Sequence, residues 1–145
     1  MELYVQLESL RFREDFGFRI TTGSEIEIHK ILIPPLILQP YVENAIRHGL
    51  APKKGEKSLL LKIEIAKNQI IISIKDNGVG RVYSRKNNSQ KETQHKSLAM
   101  ELTRSRIYLM GDNSAENERV EIIDLYNEDK PAGTEVVVRL PLKIK

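Results

Sequence analysis

Hydrophobic positions change their spacing several times along the chain, and each change predicts an element. Leu59, Leu61, Ile63 and Ile65 alternate with Lys62 and Glu64, and Ile70, Ile72 and Ile74 alternate with Ser73 and Lys75. A period of two with one polar face predicts two strands, joined as a hairpin at Lys67-Asn68-Gln69. Upstream, Phe16 to Thr22 and Glu25 to Leu32 also read as strands, turned at Thr22-Gly23-Ser24. Ile33-Pro34-Pro35 ends the extended pattern, and a helix is predicted from there to about His48. Leu38, Val42, Ala45 and Ile46 form its buried stripe, Pro40 fits near its start, and Gly49 stands where a C-cap belongs. Residues 2–12, with Leu3, Val5, Leu7, Leu10 and Phe12, suit the last turns of a longer amphipathic helix.

Downstream of the hairpin the period is lost. Residues 81–96 are polar and aperiodic, which predicts a long unpacked loop, and such loops inside a domain are functional or disordered. A helix is predicted from Ser97 to Met110, with Met100, Leu102, Ile107 and Met110 facing the core. Val120 to Tyr126 and Thr134 to Leu140 close the chain as two strands around a turn at Glu128 to Gly133. Strands, helix, hairpin, loop, helix, hairpin is the order of an α+β two-layer sandwich. The expected sheet is mixed and largely antiparallel, with helices on one face.

Composition narrows the reading only a little. A chain of 145 residues, 40% hydrophobic and 30% charged, fits one domain with its own core. The absence of cysteine excludes disulfides and thiolate metal sites, and fits a reducing compartment. The net charge of +3 is spread among acids, as in Arg11-Phe12-Arg13-Glu14-Asp15, so no nucleic-acid partner is expected. No stretch approaches the ~20 apolar residues of a membrane span, and residues 1–4 do not open a signal peptide. A soluble, cytoplasmic domain is expected.

Three segments bear candidate chemistry. Within the predicted helix, Pro34-Pro35-Leu36-Ile37-Leu38-Gln39-Pro40-Tyr41-Val42-Glu43-Asn44-Ala45-Ile46-Arg47-His48-Gly49 sets Asn44 and His48, and Glu43 and Arg47, four residues apart. Such a face offers an oxygen to a hard cation and donors to phosphate, but it equally describes a solvated helix surface. Asp76-Asn77-Gly78-Val79-Gly80 follows a strand. Its carboxylate can accept a hydrogen bond from an exocyclic amine, and its glycines let a flat ligand approach the backbone, yet Asn-Gly is also the commonest turn dipeptide. Gly133-Thr134 before the last strand is by itself only a turn. Walker and Rossmann glycine patterns are absent.

In this order the three segments resemble the ATP-binding module of the GHKL superfamily (gyrase, Hsp90, histidine kinases, MutL). Within it, Pro-Pro before Gln-Pro and then Glu-Asn-Ala-Ile-basic-His-Gly is similar to the N box of the LytS-like sensor histidine kinases. Residues 2–12 also resemble the segment joining that family's dimerisation helices to its ATPase domain. The resemblance implies a Bergerat-type fold over 13–145, with 1–12 as the end of a linker helix and 81–96 as the ATP lid. It implies ATP and Mg²⁺ as cofactors, with Asn44 as the metal ligand and Arg47 and His48 near the phosphates. Glu43 would polarise water or the metal shell as the catalytic carboxylate. Asp76 would accept the adenine amino group, Gly78 and Gly80 would shape the pocket, and Thr134 would support the adenine through a shared water. The implied partners are a histidine-bearing dimerisation helix of the same kinase and a downstream response regulator. The full-length protein would be a homodimer attached to the inner membrane.

Two departures qualify this picture. The family's Gly-x-Gly-Leu after the lid is replaced by Ser97-Leu98-Ala99-Met100. Backbone amides of Ser97, Leu98 and Ala99 at a helix start could still cradle phosphate, but Cβ atoms now stand where backbone must come close, which predicts weakened ATP affinity. The phosphorylated histidine is also missing, since His29, His48 and His95 lie in other contexts. The isolated chain is therefore expected to bind nucleotide without phosphorylating itself. The alternative is a degenerate nucleotide-binding module acting through protein contacts. An ATP-driven clamp is disfavoured, because Pro40 stands where those proteins carry a glutamate base.

Overall fold

In the computed structural model, residues 16–23, 27–34, 36–87, 90–110 and 119–144 are described. Five strands form one sheet: β1 (Phe16–Thr22), β2 (Lys57–Ala66), β3 (Gln69–Asp76), β4 (Val120–Asn127) and β5 (Lys130–Pro141). Their order is β1-β2-β3-β5-β4, with β1 parallel to β2 and the other pairs antiparallel. Both hairpins turn on two consecutive residues of positive φ, Lys67-Asn68 (50° and 61°) and Glu128-Asp129 (48° and 65°). Paired positive φ gives a two-residue turn the twist its strands need. The second turn is tighter than the six residues expected, and β5 starts already at Lys130. A register shift where Leu125 faces Gly133 and Tyr126 faces Pro131 absorbs the extra residue.

Over its described residues, the strand expected at Glu25 to Leu32 does not join the sheet. Ile28–Lys30 is a 3₁₀ turn, Ile31 makes only an isolated bridge to Ile144, and residues 24–26 lie outside the described residues. Ile31 and Ile33 pack against the core from this stretch, so the period-two signal belongs to an extended crossover. A parallel β1–β2 pair requires such a crossover, and it carries the helix α1 (Gln39–Asn44), which runs on as a π-helical segment, Ala45–Leu50. The helix begins at Gln39 rather than directly after Pro35, since Leu36, with a φ of 63°, is outside helical backbone. The helix expected at residues 2–12 lies outside the described residues.

The larger difference lies in 81–96. Instead of an unpacked loop, α2 (Arg81–Asn87) and then α3 (Gln90–Leu109) occupy it, so the helix expected from Ser97 begins seven residues earlier. No glycine or proline interrupts residues 81–110, and lysine, glutamine, glutamate and arginine are good helix formers. With Ser97 and Ala99 in place of glycines, nothing stops the helix at the former loop. Periodicity missed it because a helix that is polar all round has no apolar stripe to reveal it.

The core lies between α1, α3 and one face of the sheet. Tyr41, Val42, Ile46 and Leu50 from the helix meet Leu59, Leu61, Ile70, Ile72, Ile74, Val138 and Leu140 from the strands. Each such side chain contributes about 1.5–3 kcal/mol on burial. From α3, Ile107 is buried and Met100 packs on the core, as does Met110 just beyond the helix, but Leu102 is 58% exposed, contrary to expectation. It lies two residues beyond Met100, about 200° around the helix. Ile65 is also exposed, near the hairpin tip. Among the described residues no helix is long and apolar enough to cross a membrane.

Candidate functional site

On the core face of the sheet, Leu61, Ile74, Val136 and Ile122 form an apolar cross-strand row. The next row, two residues along, is Leu59, Asp76, Thr134 and Asp124. The sheet therefore turns polar in one step, where β3 ends. Strand pairing alone makes Asp76 and Thr134 direct neighbours, although they are far apart in sequence.

Three glycines from three elements close around Asp76. A Cβ on Gly49 would stand 2.9 Å from Asp76 Oδ1, and one on Gly78 would stand 2.3 Å from the Gly49 backbone. One on Gly133, whose φ is +126°, would stand 2.0 Å from the Asp76 carbonyl oxygen. Only glycine permits these approaches. The seam is hydrogen-bonded: Gly78 N–H donates to Asp76 Oδ1 at 2.8 Å, and Val79 N–H donates to the Gly49 carbonyl at 2.9 Å. Asn77 pins the same turn to the start of β2, accepting from Ser58 N–H at 2.8 Å and donating to the Glu56 carbonyl at 3.1 Å. The carboxylate of Asp76, in a residue only 5% exposed, is thus held by the Gly78 amide and closely approached by Gly49.

Above this row opens a cleft of about 500 Å³, counting the part open to solvent. Of the residues singled out from sequence, Asn44, His48, Asp76, Gly80 and Thr134 line it together. Gly78 lies behind Asp76 and does not. Glu43 is outside the lining and accepts a hydrogen bond from Gln39 Nε2 at 2.9 Å. Arg47 is exposed, as are Leu98 and Ala99, all three away from the lining. Ser97 is within α3, but its side chain is outside the described residues. The backbone that was to cradle phosphate at 97–99 is mid-helix, where its amides are engaged within the helix rather than offered at its start.

Two side-chain contacts set the polarity of the cleft. Asn44 Nδ2 donates to Met100 Sδ at 2.9 Å. A thioether has no hydrogen to give, so the amide nitrogen must face it, which leaves Asn44 Oδ1 for another partner. At the mouth, Arg81 donates to both oxygens of Asp124, each at 2.7 Å. That hydrogen bonding holds the Asp124 carboxyl below the usual carboxylate range and raises Arg81 further. Among the described residues no group of three His, Cys, Asp or Glu could hold a metal ion alone.

Sequence and structure comparisons follow this geometry. No family model matches the chain. It is 30% identical over 95 residues to the sensor protein LytS of Staphylococcus saprophyticus, a match covering 66% of this chain and 16% of that protein. With LytS of Oceanobacillus iheyensis it is 28% identical over 152 aligned positions, covering 99% of this chain and 24% of that protein. It is a homologue of the LytS sensor histidine kinases. The chain thus spans about a sixth to a quarter of the length of these relatives. In fold it is similar to the histidine kinase domain of a blue-light activated histidine kinase from Erythrobacter litoralis, with a TM-score of 0.61 at 12% identity. That likeness covers 97% of this chain and 58% of the other.

In this LytS homologue several cleft residues have no site role assigned from sequence. Gly49 reads as a helix C-cap, yet its bare backbone is what admits Asp76. Met100 reads as a core contact, and its sulfur is the partner of Asn44. Tyr41 and Arg81 are also in the lining. Arg81 carries a usable signal, since it directly follows Gly80 and so sits at the rim of whatever the glycine turn holds.

Proposed function

We propose that this chain is the ATP-binding catalytic domain of a two-component sensor histidine kinase, which passes the γ-phosphoryl group of ATP to a histidine outside these 145 residues. The observation that carries this reading is a buried carboxylate, Asp76, paired with Thr134 across the sheet and lining one cleft together with Asn44. The Asp76 carboxylate would accept the exocyclic amine of adenine, and Thr134 would hold its ring edge. Hydrolysis needs a base, but transfer between phosphate and a delivered histidine depends mainly on positioning and charge. Glu43, hydrogen-bonded by Gln39, would polarise water or the metal shell.

A divalent cation suits the donor set. Mg²⁺ takes few protein ligands and keeps phosphate oxygens and water for the rest, which fits one amide oxygen, Asn44 Oδ1, in a cleft without a carboxylate cluster. When bound it would neutralise charge on the phosphates. His48 would stand beside them and Arg47 on the adjoining exposed face. Residues 1–12 would belong to a linker helix and 13–145 to the kinase domain. Segment 81–96, here α2 and the start of α3, would serve as a helical lid. A histidine-bearing helix of the same kinase, a response regulator and a second copy would be its partners, with membrane attachment outside these residues.

Calorimetric titration with ATP, ADP and Mg²⁺ tests the reading. Micromolar binding is expected, weakened at least tenfold by Asp76→Asn and deprived of its Mg²⁺ dependence by Asn44→Ala. No binding up to millimolar nucleotide would leave the degenerate module, which the uninterrupted α3 at Ser97–Ala99 favours.

A further inference from the structure

Tyr41 lies one helical turn before Asn44 and is 1% exposed. Its hydroxyl is buried and finds no hydrogen-bond partner among the described residues. Tyr41 also lines the cleft, as do Asn44 and Met100. Phenylalanine would fill the same core space without burying an unsatisfied polar atom, which is destabilising. The oxygen therefore points to a partner that arrives with a ligand.

Its place along the helix says which part of the ligand. Gly49, which touches Asp76, is eight residues further on, separated from Tyr41 by the rest of α1 and most of the π-helical segment. Tyr41 and Asn44 thus line the cleft from earlier on the helix than Gly49, the residue that touches Asp76. In a nucleotide, the base edge and the phosphate chain are separated in the same way. Burial pushes the Tyr41 phenol up to about 12, opposed by the positive charge of Arg104 on α3. The hydroxyl therefore keeps its proton at physiological pH and has a hydrogen to donate.

We infer that the Tyr41 hydroxyl donates a hydrogen bond to an anionic oxygen of the nucleotide phosphate chain, beside the group held by Asn44. This rests on the nucleotide-binding reading above. Neither motif reading nor the apolar stripe of α1 assigns Tyr41 any such role.

The test is Tyr41→Phe, titrated with ADP and with adenosine beside the wild-type chain and Asp76→Asn, with thermal unfolding of each free protein. The expected result is about a tenfold or greater loss of ADP affinity, the worth of one hydrogen bond to a charged oxygen. Adenosine affinity should be unchanged, and the free variant should unfold at the same temperature or higher. Unchanged ADP affinity in Tyr41→Phe, while Asp76→Asn is weakened, would overturn the inference alone. So would an equal loss for adenosine and ADP, or a lower unfolding temperature of the free variant, which would mark a partner within the protein. If the wild-type chain binds neither ligand, the nucleotide reading itself fails and this one with it.

Discussion

Gly78 and Gly49 meet backbone to backbone, and the contact leaves no room for a methyl group. A Cβ at Gly78 would lie 2.3 Å from both the carbonyl carbon and the oxygen of Gly49, so either the Asp76 turn or α1 must move. Gly78→Ala is expected to cost about 3 kcal/mol, the upper end for overpacking, read as a lower urea midpoint. Gly17→Ala supplies the control. A Cβ there would be 3.9 Å from its nearest neighbour, the Lys57 carbonyl oxygen, and the change should stay within about 0.5 kcal/mol. Equal losses would show that glycine's flexibility, not the close approach, is what matters. At this scale the sequence reveals motif residues better than their supports. Asp76, Gly80 and Thr134 belong to segments whose residue types suggest ligand chemistry. Gly49 has an ordinary alternative as a helix cap, and the role of Met100 exists only because α3 brings a sulfur to Asn44, 56 residues away.

The element that departs most from expectation is α3. Its N-terminal half, residues 90–99, leaves Leu98 exposed and contains no glycine or proline, so local propensity favours helix there. Alanine at 99 is the best helix former, and glycine costs about 1 kcal/mol more in a helix interior. The Ser97→Gly/Ala99→Gly double variant is therefore expected to unwind the helix up to about residue 99. Circular dichroism at 222 nm should fall by about ten helical residues' worth, while the cooperative unfolding midpoint should change much less. Because the freed backbone amides could then face phosphate, nucleotide affinity should rise in the same variant. Unaltered ellipticity would mean that the helix is held by contacts rather than by composition. The contrast with β2 and β3 is instructive. Alternation with one polar face identified both strands, because burial of one sheet face leaves its period in the sequence. A helix polar all round leaves none, and a crossover such as Ile31–Ile33 imitates a strand by burying alternate residues.

At the scale of the molecule, hairpins are legible from sequence because their partners are neighbours in the chain. The parallel pairing of β1 with β2 is not, since period reports which face is buried and says nothing of the adjacent strand. The same holds for the tie across the cleft mouth, where the edge strand β4 is joined to α2 by Asp124 and Arg81. This bridge should make stability depend on pH in a definite direction. The folded state holds the Asp124 carboxyl below its unfolded value, chiefly through the Arg81 hydrogen bonds, so folding favours the ionised form. That contribution is complete above the unfolded carboxylate value of about 3.9 and is lost as pH falls through the lower folded value. Both side chains are about one third exposed, so solvent screening limits the bridge to about 0.5–1 kcal/mol. Asp124→Asn is expected to lower the unfolding temperature by a few degrees at pH 7. The gap from wild type should hold from pH 7 to about 5 and close as pH drops below 4, since wild type then loses its own bridge. A gap that persists at pH 3 would show that Asp124 acts through shape or neutral hydrogen bonding, and that charge does not hold the mouth of the cleft.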